Sequence, residues 1–75
     1  MIIYHRGAAF EPDVTRAGGA FVATASIFEE DGHTTSLGKL GMFANQECAI
    51  NFAVRCATAF LEGDDMPLPP FAMRS

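Results

Sequence analysis

The stretch from Asn45 to Gly63, NQECAINFAVRCATAFLEG, decides how the rest of the chain must fold. Glu47, Asn51, Arg55, Thr58 and Glu62 recur at spacings of four, four, three and four, so on a helix they stack into one polar stripe. At roughly 100° per residue the stripe covers about 80° of the circumference. Every other position from Cys48 to Leu61 is apolar. Cys48, Phe52, Cys56 and Ala59 form one flank, Ile50, Val54, Ala57 and Leu61 the other, and Ala49, Ala53 and Phe60 lie between them. A small sheet can cover only one flank. The spacing therefore predicts a helix shut off from water around nearly its whole girth, with a tail or a second subunit on the far side. Asn45 is placed as N-cap and Gly63 as the residue that ends the helix. Glu47 suits the positive end of the helix dipole, while Glu62, Asp64 and Asp65 oppose the negative end.

Upstream, Ala20 to Glu30 alternates with period two. Phe21, Ala23, Ala25 and Ile27 share one face, which should meet the helix; Val22, Thr24, Ser26 and Phe28 share the other. Glu29 to His33 makes a turn, with Asp31-Gly32 as a hairpin signal of the type I′ kind. Thr34 to Phe43 returns as a strand. Leu37 and Leu40 have opposite parity, so a bulge near Gly38 is needed to bring both to one face. Ile2 to Phe10 reads as a first strand that stops at Glu11-Pro12-Asp13, because proline lacks a ladder N–H. Residues 13–19 then form a loop broken by Gly18-Gly19. The tail from Met66 contains MPLPPFAM, whose prolines favour an extended, polyproline II path, and its P-x-P-P core is a minimal match to a polyproline ligand.

The expected fold is α+β, a three-stranded antiparallel sheet with one C-terminal helix packed on one face in the order β-β-β-α. It forms a single domain over 1–75, a core in 1–63 and a proline-rich tail in 64–75. The expected core is Ile3, Phe21, Ala23, Ala25, Ile27, Leu37, Phe43, Ala49, Phe52, Ala53, Cys56 and Phe60.

Seventy-five residues bury only about 60% of their unfolded-state surface, so a disulfide, a metal or a second subunit would help. Cys48 and Cys56 stand about 12 Å apart along a helix, too far to pair, and their spacing is not that of a zinc site. They read as two buried thiols, suited to a reducing cytoplasm. No signal peptide is visible, and no apolar run approaches the ~20 residues of a membrane span. The net charge is −4, and its five bases are scattered, unlike the basic footprint of a nucleic-acid binder.

Motifs for chemistry are sparse. Glu29, Glu30, Asp31 and His33 could be imagined around a metal, but the alternating oxygen ligands of an EF-hand are missing. Thr34, Thr35 and Ser36 lack a nucleophile elbow. Gly38-Lys39-Leu40-Gly41 lacks the spacing of a phosphate loop. No catalytic residue, cofactor or metal is expected. The residues expected at a protein interface are Ile50, Val54, Ala57 and Leu61 on the helix, Val22 and Phe28 on the outer sheet face, and Leu68 and Phe71 in the tail.

Tyr4 on the first strand, the run Gly19 to Ile27, Phe43 to Asn45 before the helix, alanines at 49, 53 and 57, and Leu61 before Glu62 resemble a group of small bacterial proteins of unknown function. The strand-hairpin-helix order also resembles the amino-terminal half of HicB-type antitoxins. The first resemblance implies the β-β-β-α plan and no activity; the second implies binding of a small basic toxin. Three functions follow as expectations: a non-enzymatic interaction module, self-associating or bound to another protein; an antitoxin-like regulator; and a small ligand- or metal-binding domain using His33.

Overall fold

The computed structural model describes residues 2–5 and 7–65. The expected tail path and its residues Leu68 and Phe71 lie outside the described residues. The described residues form four strands and one helix: β1 (Ile3–His5), β2 (Ala8–Ala17), β3 (Ala20–Phe28), β4 (Thr34–Phe43) and α1 (Gln46–Glu62). All neighbours are antiparallel, in the spatial order β1-β2-β3-β4. The α+β class, the antiparallel sheet and the C-terminal helix agree with the sequence reading. The strand count does not, because the sheet has four strands rather than three.

The difference arises in the first 19 residues. What read as one strand is two that pair with each other: Ile3 lies opposite Phe10, Tyr4 opposite Ala9 and His5 opposite Ala8. What read as a loop after Pro12 continues as β2, paired with β3 from Ala9 to Ala17. Pro12 does not stop the strand. β1 covers only the first three residues of β2, so from Glu11 onward β2 is an edge on that side, and an edge tolerates a residue without an N–H. Gly18-Gly19 is then a two-residue hairpin tip joining Ala17 to Ala20, with Gly18 at φ 60° in the first central position, where a type II′ turn takes glycine.

The β3–β4 hairpin has the expected strands but a wider tip. Phe28 pairs with Thr34 around a five-residue loop, closed by Glu29 N–H donating to the His33 carbonyl at 2.9 Å. Farther along, the register shifts twice between Ala23 and Ser26 against β4. These shifts let Leu37 and Leu40 both pack on the core despite their opposite parity.

α1 lies across β2, β3 and β4. Its buried face is Ala49, Phe52, Ala53, Cys56 and Ala57, set on Phe10, Ala23, Ala25, Ile27 and Phe43 of the sheet. Alanines on both surfaces let backbone approach backbone, and Phe43 meets Phe52 with ring centroids 5.1 Å apart. Phe10, 1% exposed, is a central core residue that the expected core omitted.

Three expectations about the helix fail. Cys48 is exposed, not a buried thiol. Phe60, four residues after Cys56 on the same stripe, is 41% exposed. The helix is also not enclosed around its girth: one face is buried, Ile50, Val54, Thr58, Ala59 and Leu61 are half-buried, and Glu47, Asn51, Arg55 and Glu62 face water. Ile3, Phe21 and Leu37 pack against the core without being fully buried.

Candidate functional site

The helix ends are set by local chemistry. Asn45 adopts extended backbone and its Oδ1 accepts from Cys48 N–H at 2.8 Å, satisfying one orphan donor of the first turn. At the other end Gly63, at φ 73°, is the left-handed residue that turns the chain away, while Gly63 N–H and Asp64 N–H donate to the Phe60 and Ala59 carbonyls at 3.3 and 2.9 Å. That turn brings Asp64 and Asp65 back beside the outward side of α1. There, Val54, Arg55, Thr58, Ala59, Glu62, Asp64 and Asp65 line an open trough of about 380 Å³. Its floor is apolar or small, and its charge is divided: Arg55 lies two helical turns, about 10.5 Å, before Glu62, where Asp64 and Asp65 join the acidic end.

No basic residue lies in the last turn of α1 to offset those carboxylates. Glu62 Oε2 approaches His5 Nε2 at 3.1 Å, with both side chains partly exposed. The geometry is too poor for a hydrogen bond, leaving the buried Nε2 without one. The contact is therefore an electrostatic tie from β1 to α1, active when the imidazole is protonated. Among the described residues, Arg55, Asp64 and Asp65 have no ion-pair partner.

Of the residues expected at an interface, Val54 lines the trough, and Ile50 and Leu61 flank it half-buried. Ala57 is buried beneath the helix and offers a partner no surface. Val22, on the outer sheet face between Thr15 and Met42, is 5% exposed and also offers little. Phe28 is half-buried on that same face, in a row with Ala9 and the 82% exposed Tyr4. Arg55 and Asp64 were not among the expected contact residues. The signal for them was the isolated positive charge in the polar stripe and the acids that oppose the dipole. A second, smaller hollow of about 250 Å³ lies at the other end of the sheet, among Gly19, Ala20, Met42, Phe43 and Ala44.

The β3–β4 tip brings together Glu29, Asp31 and His33, whose ligand-type atoms lie within 4.8 Å of one another, all exposed. His33 already uses Asp31: its N–H donates to Oδ1 at 3.0 Å and its Nδ1 lies 2.7 Å from Oδ2. These hydrogen bonds, from the His33 backbone first and its ring second, hold the Asp31 carboxyl below the usual carboxylate range. Glu30 does not join them; its carboxyl sits over Gly7. At the other thiol, burial pushes Cys56 up, partly countered by neighbouring Arg55.

The fold defines a small antiparallel meander covered on one face by a single helix. No protein-family model, no curated protein and no solved structure matches the chain. Among the described residues no helix is long and apolar enough to cross a membrane.

Proposed function

We propose that this protein is a non-enzymatic interaction domain that contacts another protein chain through the outward side of α1. The observation that carries this reading is one strip on the outward side of α1, where the half-buried Val54 and Leu61 border the charged trough. Exposed apolar surface bordered by charge is how contact sites on small proteins are built. The acidic end of the trough also suits a basic partner, which is the antitoxin-like form of the same reading.

The two open edges of the sheet support the helix as the contact surface. Beyond β1, the β2 edge carries Glu11, Pro12 and Asp13; the β4 edge carries Lys39 and the register shifts beside Gly38. Proline, charge and bulges discourage the addition of another strand.

Site-specific photo-crosslinking tests the reading. A crosslinker at position 58 on the helix should yield a protein adduct in cells, whereas one at Ser36 on the outer sheet face should not. Adducts from Ser36 alone, or from neither position, would overturn it.

A further inference from the structure

The trough has two ends of opposite charge, and among the described residues neither end meets a charge of the other sign. Arg55 has no acid three or four residues away on its helix, and among the described residues no carboxylate meets it. Asp64 and Asp65 likewise have no base among the described residues, and they sit where the helix dipole is already negative. Between the ends lie Thr58 and Ala59, both small. A surface with a positive end, a small centre and a negative end is complementary to its own image rotated by half a turn.

We infer that the trough is occupied by the same trough of a second copy, as an antiparallel pair of α1 helices about a two-fold axis near Thr58. The inference rests on the outward side of α1 being the contact surface, and it names the occupant. Sequence positions fix the register. The midpoint of Arg55 and Glu62 is 58.5, and the midpoint of Val54 and Leu61 is 57.5. One axis therefore sets Arg55 against the acidic end of the second copy while Val54 lies beside Leu61 of the second copy. Thr58 and Ala59 at the crossing allow the axes to come within the roughly 8–10 Å of packed helices. Because the contact is isologous, every ion pair occurs twice. Glu62 keeps one oxygen toward His5, so Asp64 and Asp65 are the acids freest to receive Arg55 of the second copy.

A charge swap on the full chain tests this, read by sedimentation equilibrium over a concentration series. The wild type should dimerise, more weakly in about 0.5 M salt. R55E alone sets acid against acid, and D64K/D65K alone sets base against base. Each should weaken self-association by on the order of tenfold or more while circular dichroism shows the fold retained. Mixing the two variants in equal amounts restores both contacts. The acid introduced at position 55 of one chain meets the lysines of the other, and the Arg55 that remains meets the aspartates that remain. The mixture should therefore regain the dimer. A wild type that is monomeric at every concentration, a dimer indifferent to both variants, or a mixture that stays monomeric would each overturn the inference. So would association with a basic protein only. None of these outcomes bears on whether position 58 crosslinks to some protein, which tests the interaction reading separately.

Discussion

At its N-terminal end α1 is capped by Asn45, carries Glu47 where the dipole favours an acid, and presses Phe52 against Phe43. At its C-terminal end it stops on Gly63, gathers Glu62, Asp64 and Asp65 against the dipole, and leaves Phe60 41% exposed. The same helix is thus anchored at one end and open at the other. The first half satisfies each local rule for stability. The second half departs from two of them, in charge placement at the trough proposed as the contact site and in apolar burial at Phe60. Such departures are expected where a surface serves a partner rather than the fold.

Substitutions can break this contrast, and the largest effect should come from its two phenylalanines. F52A opens a cavity in a packed core and should cost about 3–5 kcal/mol, enough to threaten folding in so small a domain. F60A removes a ring that is already wet and should cost only about 1–2 kcal/mol. Urea midpoints of the two variants measure the difference, and equal losses would erase it. Next comes the cap: N45A should destabilise by about 1 kcal/mol in the same titration. The smallest effect has the opposite sign. D64K/D65K places positive charge at the negative helix end and, at concentrations where the wild type is monomeric, should stabilise the fold by a few tenths of a kcal/mol, visible as a slightly higher thermal midpoint at low salt. A helix end optimised for stability would lose from that change instead.

The helix, its two caps, the β3 and β4 strands and the compensating bulge were legible because each rests on local signals. These are a period, a capping side chain, a glycine and a parity conflict between Leu37 and Leu40. The first 19 residues were harder to read. Pro12 carries a strong local preference against a ladder, and only the shortness of β1 reveals that it sits on an open edge. Phe10 belongs to the core because β1 and β2 are separate, paired strands, so the same error hid it. Cys48 and Phe60 were misplaced for a different reason. Helical spacing gives the direction in which a residue points but not how far the sheet extends beneath it. Cys48 in the first turn and Phe60 in the last both belong to the apolar side of the helix, yet both are exposed at its ends. The trough was half legible, since the stripe and the opposing acids were visible, whereas the return of Asp64 and Asp65 alongside α1 depends on the Gly63 turn in three dimensions.

One physical division underlies both the fold and the proposed contact: α1 buries one face and leaves the other open to water. Cys48 and Cys56 report on it from bearings about 80° apart on the same helix, one exposed and one buried. Brief treatment of the folded protein with iodoacetamide, followed by mass spectrometry of the peptides, reads both at once. Cys48 should alkylate rapidly, and Cys56 should stay protected until the protein is unfolded. Equal labelling of the two, or protection of Cys48, would contradict that division.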